Sequence, residues 1–590
     1  MAKWIIRNPK ANIPKMVEEF AISEIFATVL ANRNILTRRK LNTYLYMDRS
    51  LLHNCLNMKD MEKAFIKIIK AISKNETICI YGDYDVDGVT STVILYKALK
   101  NIGANVIYYI PDREEEGYGL NIDAINEVIK KGVDIIFTCD NGIASIEEVQ
   151  YIKENGLDII ILDHHEPRFL EEDNQKIEIL PNADIIINPK QEDCPYSFKA
   201  LSAGGISYKF VEGLYNYMEI EQNLDEYLVF ASISTVCDIV DLLDENRLIV
   251  KMGLQIFNNN KEINKGLYEI LKVNNIDEKV INETDYGFII GPCINASGRL
   301  ESALKAVELF TIDDEEKIKE LAQDLLVLNT ERKNLTTKAV EDILYTIENT
   351  NIKDDKVLVV YNDEIHESIA GIVAGRIKEI YYKPTFVITK AKDGAKGSGR
   401  SIPPYNMFEE LLKCSHLFEK FGGHTMAAGL SLENDNVDIF RKLINENCNL
   451  SDEDLQETIV IDKSLKFSNI TIDLAKELCK MKPIGKENKG AIFATKNVCI
   501  KNIKFVGKEG KIIQLLLDDG FNVIKAISFD GYDKFLNILK QHLNNDEIEK
   551  ITSGLKKYVD LNLDVVYSIE VNVFNDIESV QLILKDFRLS

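Results

Sequence analysis

Short apolar runs alternate with amphipathic stretches between residues 77 and 162. The apolar runs read as strands at 77–82, 105–110, 133–139 and 157–162, and helical periodicity follows at 90–101, 122–131 and 145–155. Strands that alternate with helices predict a parallel sheet with right-handed crossovers. Continuous apolar strands such as Ile159-Ile160-Ile161-Leu162 indicate that this sheet is covered on both faces.

The pattern changes again on either side of this region. Polar helical sequence precedes it, long helices occupy residues 300–350, and a second α/β pattern runs from Lys356 to about 450. After 456, β-rich runs at 497–505, 511–517, 523–529, 565–573 and 580–584 predict a small antiparallel barrel. We therefore expect an N-terminal helical segment (1–60), an α/β domain (61–300), connecting helices (301–350), a second α/β domain (351–452) and a barrel domain (453–590).

Composition narrows the class of protein. The chain has 590 residues, a net charge of −23 and ten cysteines, none of which forms a Cys-X-X-Cys pair. The cysteines therefore predict reduced thiols, and the N-terminus lacks a signal-peptide core. No run of 18 apolar residues occurs, so we expect no membrane span and a cytoplasmic location. The acidic balance means that any nucleic-acid binding has to use local basic patches.

Two windows supply such patches. Residues 375–400 contain seven Lys or Arg against two acids, and residues 476–511 contain ten Lys against three acids. The second window overlaps the expected barrel, and small barrels bind single strands through basic grooves and aromatic stacking. Phe493 and Phe505 are candidates for stacking, although a place in the core is the commoner role of such residues.

Four segments rich in Asp and His each follow an apolar run that we interpret as a strand. They are GDYDVDG (82–88), TCDNG (138–142), LDHH (162–165) and VCD (236–238). Ligands of open α/β sheets bind beyond the carboxyl ends of the strands, so these segments predict one common site. Four carboxylates would meet there, which is unfavourable without cations: Asp85, Asp87, Asp140 and Asp238.

Oxygen ligands with one or two imidazoles favour Mn²⁺ or Mg²⁺, and two such ions clamp a phosphoryl group and activate water. An EF-hand loop starting at Asp83 is excluded because its twelfth position is Ile94, which has no carboxylate. Taken singly, Asp140 also fits a turn and the histidine pair also fits a capping or core role. Their joint occurrence at successive strand ends favours the metal site.

These segments, in this order, resemble the motifs of the DHH phosphoesterase superfamily. The superfamily is named after an Asp-His-His motif, which Asp163-His164-His165 matches in this chain. Within it, the chain resembles the RecJ family of single-strand-specific 5′→3′ DNA exonucleases from about residue 75 nearly to the end. Further matching stretches are NASGR (295–299), 366–376, KGSGR (396–400) and FGGHTMAAG (421–429). The resemblance implies an α/β fold: a parallel-sheet DHH lobe and a DHH-associated α/β lobe joined by long helices, followed by an OB-like β-barrel.

The resemblance also implies roles for individual residues. It implies that two Mn²⁺ or Mg²⁺ ions are bound by Asp85, Asp87, Asp140, His164 and Asp238. Asp140 would bridge the ions, and Asp83 would assist through the metal or a water. His165 would contact the phosphate near the scissile bond, while Asp163 would orient an imidazole. Apart from Asp163, these residues are the candidate catalytic groups.

The second lobe is expected to hold the 5′ end of the DNA. Glycine lets backbone N–H groups approach phosphate closely, and arginine offers a planar bidentate fork. The candidates are Arg299, Arg376, Ser398, Arg400 and His424. A simpler interpretation is that some of these arginines only join the lobes and that the glycines of 421–424 only form a tight turn.

The chain departs from the family pattern at three places. Cys293 stands where the family usually has an arginine, which puts one basic contact in doubt. Asp241 stands where a proline is usual, so the turn after the fourth acidic motif is expected to differ. Residues 483–493 keep only part of the Gly/Pro-rich pattern, so the approach to the barrel is expected to be altered.

The resemblance implies a metal-dependent exonuclease that degrades single-stranded DNA 5′→3′ to 5′-mononucleotides in DNA repair and recombination. Single-stranded DNA is the expected partner, with a helicase and a single-strand-binding protein by family likeness, and a monomer is the simplest state. The alternative is a small-substrate DHH phosphodiesterase for nano-RNA, a nucleoside bisphosphate or a cyclic dinucleotide. The C-terminal region argues for a polymer, and the intact acidic motifs argue against a protein that only binds.

Overall fold

The computed structural model describes residues 2–113, 116–172, 175–392, 394–507 and 509–590, without the side chains of 171, 172 and 175. It contains two compact units, Met1–Asp48 with Glu457–Ser590, and Arg49–Gln456. This division differs from the separate N-terminal segment 1–60 that we expected, because residues up to 48 join the C-terminal region.

The N-terminal part of the smaller unit has one strand and three helices: β1 (Lys3–Ile6), α1 (Ile13–Phe20), α2 (Glu24–Ala31) and α3 (Arg38–Leu45). Asn12, Ser23 and Thr37 cap the three helices by accepting hydrogen bonds from backbone N–H groups of their first turns. The helices agree with the polar helical pattern, whereas the strand was not predicted. It pairs in parallel with Thr458–Ile461, which ties the N-terminus to the C-terminal region.

The larger unit begins with the expected parallel sheet. Its elements are α4 (Met61–Lys74), β2 (Thr77–Tyr81), α5 (Val86–Asn101), β3 (Asn105–Tyr109), α6 (Ile122–Lys130), β4 (Ile135–Cys139), α7 (Ile146–Glu154), β5 (Asp158–Leu162), the hairpin β6 (Arg168–Glu172) and β7 (Gln175–Ile179), and β8 (Ile185–Ile187). The strand order is β3-β2-β4-β5-β8, all parallel. Alternate residues of β2 enter two different buried clusters, so both faces are covered.

A layer of helices follows: α8 (Ala203–Tyr217), α9 (Asp225–Cys237), α10 (Asp244–Asn259), α11 (Lys265–Val273), α12 (Glu283–Asp285), α13 (Gly291–Leu300), α14 (Leu304–Thr311) and α15 (Glu315–Glu348). Helices α8 and α9 pack against α5. The 34-residue α15 is the long connection predicted between the lobes. Within the described ranges, none of the helices combines the length and apolar character needed to cross a membrane.

The second lobe is a mixed sheet. It contains β9 (Leu358–Tyr361), α16 (Glu367–Tyr381), β10 (Thr385–Lys390), β11 (Ala395–Arg400), α17 (Met407–Leu412), β12 (Phe418–His424), β13 (Ala427–Leu432) and α18 (Val437–Glu446). The order is β12-β13-β11-β10-β9, and only β9 and β10 are parallel. Helix α16 packs against β10 and β11 and also contacts α15, so the sheet is anchored to the connecting helix.

The C-terminal region closes a barrel. It contains β14 (Thr458–Ile461), β15 (Lys463–Ser464), α19 (Ile472–Cys479), β16 (Phe493–Val506), β17 (Ile512–Asp518), β18 (Val523–Ser528), α20 (Tyr532–His542), α21 (Asn545–Thr552), β19 (Asn562–Phe574) and β20 (Ile577–Leu589). The order β16-β17-β18-β20-β19 closes through pairing of β16 with β19. The predicted OB-like barrel is confirmed, while helices α20 and α21 were not predicted.

Candidate metal centre and phosphate-binding cleft

Three acidic residues follow strand β2. Asp83 lies in the turn beyond the strand and is buried. Asp85 caps α5, and its Oδ1 accepts hydrogen bonds from the N–H groups of Asp87 (2.8 Å) and Gly88 (3.1 Å). Asp87 lies in the first turn of α5 and is also buried. The partial positive charge of a helix N-terminus favours carboxylates here, so the strand-to-helix turn gathers three of them.

Asp140 follows strand β4 in a left-handed backbone conformation, with φ of +66°. Asp and Asn are the residues with a side chain that adopt this conformation most readily, at a cost of roughly 1 kcal/mol. The turn is held by hydrogen bonds: the N–H of Asp140 donates to the carbonyl of Leu162 (3.1 Å), and Thr138 Oγ1 donates to the carbonyl of Asn141 (2.9 Å). These hydrogen bonds hold the strained turn in place, and the turn in turn fixes the position of the buried Asp140 carboxylate.

The Asp163-His164-His165 motif follows strand β5, and its three side chains have different surroundings. Asp163 Oδ2 accepts a hydrogen bond from the N–H of Ile143 (2.9 Å). Its Oδ1 accepts one from the N–H of His164 (2.7 Å) and lies 2.7 Å from Nδ1 of His165. Both oxygens of Asp163 are thus occupied by protein donors, which agrees with the predicted role of orienting an imidazole.

Asp238 occupies a different element from the one predicted. It caps the C-terminal end of helix α9 and does not follow a strand. The apolar run before it belongs to helix α9, which is buried on nearly all sides. Such a helix shows no amphipathic periodicity, so the sequence pattern could not distinguish it from a strand. The side chain nevertheless reaches the site, since Oδ2 of Asp238 lies 3.6 Å from Nε2 of His164.

The carboxylates and imidazoles form three overlapping groups, each with ligand atoms within 4.8 Å of one another: Asp83, Asp85 and Asp140; Asp87, His164 and Asp238; Asp140, His164 and His165. Three buried atoms in these groups have no hydrogen-bond partner: Oδ1 of Asp83, Oδ1 of Asp140 and Nε2 of His164. Buried polar atoms without partners are costly, so their convergence fits divalent cations. The donor set, mostly carboxylate oxygen, is compatible with Mn²⁺ or Mg²⁺.

The electrostatics of the site show the same crowding of negative charge. Burial, followed by repulsion from neighbouring carboxylates, raises the pKa of Asp83, Asp140 and Asp238 well above its usual value. The pKa of Asp87 rises to about 6 for the same reasons. Burial lowers the pKa of His164 to about 3. Burial also acts to lower the pKa of His165, but the Asp163 carboxylate outweighs it and raises this pKa to about 9.

Two predicted phosphate ligands, one from each lobe, contact helix α16 of the second lobe. Arg299, in α13, donates from Nη1 to the carbonyl of Ser368 (2.5 Å). Arg400, at the end of β11, donates from Nη1 to the carbonyl of Gly399 (2.8 Å) and toward Ser398 Oγ (3.4 Å). A side chain at Gly371 would place its Cβ 2.7 Å from Nη2 of Arg400, so the guanidinium packs directly on α16.

These arginines stand close to one another. Burial and the charges of Arg113 and Arg332 lower the pKa of Arg299 to about 9. Burial and Arg113 also lower the pKa of Arg400. Like charges held together in a partly buried place form a site for an anion, and guanidinium groups suit phosphate.

The other two candidates lie farther out. Arg376 is exposed on α16. His424 is exposed at the end of β12, and its Nδ1 accepts a hydrogen bond from the N–H of Met426 (3.2 Å). His424 and Arg400 are the register partners of Ala427 on its two sides, so both lie at the same end of this sheet.

Sequence reasoning missed residues in the segment that follows β3. Arg113 stacks on Tyr84, with its guanidinium carbon 4.7 Å from the ring centroid. Both line a cavity of about 270 Å³ between the lobes, together with Ser368, Lys396 and Ser398. The available signal was position, because β3 is a parallel strand and its carboxyl end meets the same edge as β2.

Tyr118 was also missed. Its hydroxyl donates to the carbonyl of Asp140 (3.0 Å) and lies 3.1 Å from Nδ1 of His165. It therefore links the strained turn after β4 to the histidine after β5. No spacing in the sequence distinguishes this tyrosine from the chain's other tyrosines.

The three departures from the family pattern have structural counterparts. Cys293 is buried, and Asn329 donates to its sulfur (3.3 Å) while accepting from Arg332 (2.9 Å), so an arginine lies near this position. The loop containing Asp241 is held by Asn246, which donates to the carbonyl of Asp241 (3.0 Å). Within 483–493, Asn488 Nδ2 donates to the carbonyl of Pro483 (2.7 Å), and Tyr44 donates to Asn488 Oδ1 (2.8 Å).

The parallel sheet with an Asp-His-His motif at its edge, followed by a second α/β lobe, defines the chain as a DHH-type protein. Three family models match: the N-terminal domain of the DHH family (77–234), the DHHA1 domain (354–450) and the RecJ OB domain (461–586). The chain belongs to the RecJ family. It is 32% identical to the single-stranded-DNA-specific exonuclease RecJ of Bacillus subtilis strain 168 in an alignment of 594 positions that covers 100% of this chain and 71% of that protein.

Other relatives agree. The chain is 32% identical to the RecJ exonuclease of Escherichia coli K12 over 449 residues, covering 72% of this chain and 76% of that protein. Its fold matches crystalline RecJ of Thermus thermophilus in complex with Mn²⁺, with a TM-score of 0.81, 22% identity and coverage of 100% of this chain and 80% of the other. These matches do not favour the small-substrate alternative.

Proposed function

We propose that this protein is a metal-dependent exonuclease that degrades single-stranded DNA 5′→3′ and releases 5′-mononucleotides, with roles in DNA repair and recombination. The observation that carries the proposal is the position of the unpartnered Asp83, Asp140 and His164 atoms, which lie in the same unit as a cavity lined by Arg113. Arg299 joins the two regions, since it bonds to Ser368 of the cavity wall and Asp85 acts on its pKa. A phosphodiester between the two regions would have its negative charge balanced by the proposed metal ions on one side and by the arginines on the other.

In this proposal Asp85, Asp87, Asp140, His164 and Asp238 would hold two divalent cations, Mn²⁺ or Mg²⁺, and Asp140 would serve both. Asp83 assists in the group that contains Asp85 and Asp140. When bound, the ions polarise the phosphodiester and activate water at neutral pH. RecJ of Thermus thermophilus has been crystallised with Mn²⁺ and with Mg²⁺, which supports this choice of ions.

The protein's own side chains hold the substrate. His165 stays cationic at neutral pH because Asp163 raises its pKa, which suits a contact with the scissile phosphate. Arg299, Ser398 and Arg400 bind the terminal phosphate of the strand. Arg113 joins this set because it lines the same cavity as Ser398 and its charge acts on both Arg299 and Arg400. Arg376 and His424 bind farther along the backbone. Because these residues would hold the 5′ end of the strand, cleavage would proceed from that end in the 5′→3′ direction.

The curated relatives are named as single-stranded-DNA-specific exonucleases, and the barrel matches the RecJ OB domain, which supports a single strand as the substrate. Barrels of this type bind the strand by backbone charge and base stacking, largely without regard to sequence. Phe493 is buried in the barrel core and is not available for stacking, whereas Phe505 is half-buried against that core and stays a candidate. A helicase, a single-strand-binding protein and a monomeric state stay predictions.

The test uses a long single-stranded oligonucleotide labelled at either end, with Mn²⁺ or Mg²⁺. We expect immediate release of a labelled mononucleotide from the 5′-labelled strand and gradual shortening of the 3′-labelled strand. The reverse pattern would refute the polarity. An intact long strand alongside turnover of dinucleotides would refute the polymer substrate.

A further inference from the structure

Among the predicted metal-ligand carboxylates, Asp87 accepts the most hydrogen bonds that the structure describes, and its three donors come from helices α8 and α9. Its Oδ1 accepts hydrogen bonds from the N–H of Gly204 (2.8 Å) and from Ser234 Oγ. Its Oδ2 accepts one from the N–H of Ala203 (2.8 Å) and lies 3.6 Å from Nε2 of His164. Oδ1 is therefore committed to the protein, and Oδ2 faces the ligand group.

Ser234 is itself held in place. Its hydroxyl lies 2.7 Å from Oγ of Ser202, the residue that caps α8 by accepting from the N–H of Gly205 (3.1 Å). A Cβ at residue 204 would lie 2.4 Å from Ser234 Oγ and 3.4 Å from Oδ1 of Asp87. Glycine at this position therefore lets the amide of α8, the hydroxyl of α9 and the carboxylate meet in a space that excludes any side chain.

We infer that Ser234 is a positioning residue: together with the amides of Ala203 and Gly204 it orients Asp87 so that only Oδ2 is offered to a cation bound with His164 and Asp238. This inference rests on the proposed metal centre. Carboxylates in free solution rotate and bind ions through either oxygen or both. Three fixed donors remove that freedom, so the ligand is ordered before the ion arrives and the entropy cost of binding falls.

The hydroxyl acts through Asp87 and not on the substrate. Ser234 is buried among helices and contacts Ser202 and Asp87. Loss of the hydroxyl should therefore weaken the binding of one cation and leave the reaction of the loaded enzyme nearly unchanged. A residue that only supports the fold would instead lower stability without a selective effect on the metal.

The experiment measures Mn²⁺ binding to chelator-treated full-length protein by titration calorimetry. Ser234→Ala is compared with Ser232→Ala, a serine equally buried in the same helix whose hydroxyl donates to the carbonyl of Val229 (2.7 Å) and does not contact Asp87. We expect Ser234→Ala to raise the dissociation constant of one Mn²⁺ site by about 10- to 100-fold. Ser232→Ala should bind Mn²⁺ as the unmodified protein does.

Activity measured at several Mn²⁺ concentrations distinguishes a role of Ser234 in metal binding from a role only in supporting the fold. For Ser234→Ala we expect a higher Mn²⁺ requirement and a kcat that recovers at saturating metal. If Ser234→Ala does not fold, Ser202→Ala decides the matter, because it removes the partner of the same hydroxyl and the cap of α8. Unchanged Mn²⁺ affinity in the folded variant would overturn the inference.

The outcomes also distinguish this inference from the proposed function. A protein that binds Mn²⁺ with the expected dependence on Ser234 but leaves single strands intact would overturn the exonuclease proposal alone. A protein that degrades single strands but binds Mn²⁺ equally well with Ser234→Ala would overturn the positioning role alone. A protein that binds no Mn²⁺ would overturn both.

Discussion

His164 and Asp140 face each other across the centre of the site, with Nε2 of the histidine 3.1 Å from Oδ1 of the aspartate, and neither atom has a hydrogen-bond partner. Burial keeps the imidazole neutral, since its pKa falls to about 3. A neutral imidazole nitrogen and a carboxylate oxygen that lack partners but converge are in the state that metal ligation requires. The two residues therefore mark the place where the ligand groups overlap.

Asp140→Ala should abolish cleavage while leaving the fold intact. Asp140 belongs to two of the three ligand groups, so its loss removes an oxygen from both. Replacing outer partners of metal ligands typically costs 10–100-fold, so a direct ligand should cost at least about 100-fold in kcat. End-labelled single strands measure the rate, and circular dichroism checks the fold. Asp123→Asn, an exposed change on α6, serves as the control. Near-normal turnover by the Asp140 variant would refute the ligand assignment.

Asp140→Asn should raise the stability of the metal-free protein. Without cations, the buried carboxylates repel one another, and removal of one charge relieves this by about 1 kcal/mol, or roughly 2 °C in Tm. Thermal unfolding in a chelator tests this. Added Mn²⁺ should stabilise the unmodified protein by about 2.7 kcal/mol at 100-fold its Kd, and the variant by less. A variant that melts below the unmodified protein in chelator would contradict this account.

The difference in stability between Asp140→Asn and the unmodified protein in chelator should depend on pH. The carboxyl groups of Asp83, Asp87 and Asp140 have raised pKa values in the folded state, about 6 for Asp87. The folded protein therefore binds these protons more tightly, so their stabilising effect is complete below pH ~4 and is lost as the pH rises through the folded values. The advantage of Asp140→Asn in chelator should thus grow from pH 5 to pH 8. A constant difference would show that Asp140 does not titrate in this range.

Arg400→Ala should weaken the binding of 5′-phosphorylated strands. A hydrogen bond to a charged group contributes about 1.5–3 kcal/mol, so KM should rise by about 10-fold or more with a smaller change in kcat. Kinetics on 5′-phosphorylated and 5′-hydroxyl strands measure the difference, which should shrink in the variant. Lys442→Ala, an exposed basic residue on α18 of the same lobe and outside the basic window 375–400, is the matched control. Equal KM values for Arg400→Ala and the unmodified enzyme would remove the proposed role.

Tyr118→Phe should lower kcat by about 10-fold with little change in KM for DNA. The hydroxyl joins the carbonyl of Asp140 to His165, so its loss loosens two groups at once. Steady-state kinetics at saturating Mn²⁺ test the effect. Tyr151→Phe removes a comparable hydrogen bond, which joins Tyr151 of α7 to Asn126 of α6, and should leave kcat unchanged. Similar losses in both variants would indicate a general effect on stability.

Much of the first lobe could be predicted from local pattern. The strands before Asp83, Asp140 and Asp163 are apolar and lie next to one another in the sheet, so their ends had to meet at one edge. Asp238 was expected at a strand end and lies at a helix end, because a helix buried on all sides has no amphipathic period. Its side chain nevertheless lies beside Asp87 and His164, because the motif and not the element identified it.

Other parts of the site carry no sequence motif, and only the position after the parallel strand β3 pointed to Arg113. Arg113 and Tyr118 lie between β3 and α6, and nothing in their spacing marks them as neighbours of the metal ligands. The N-terminal segment shows the same limit. Trp4 donates from Nε1 to Asp586 Oδ2 (2.8 Å), and β1 pairs with β14, yet neither contact leaves a trace in the hydrophobic pattern.

The sequence by itself determined the alternation of strands and helices, the barrel and the identity of the ligand motifs, because these depend on side-chain periodicity and on chemistry within a few residues. Only the tertiary structure decided which atoms converge. Oδ2 of Asp87 faces the ligand group because Gly204 and Ser234, more than 100 positions away, occupy its other oxygen. Hydrogen bonds between distant segments form only when packing brings the segments together, so the direction of a ligand atom is a property of the fold.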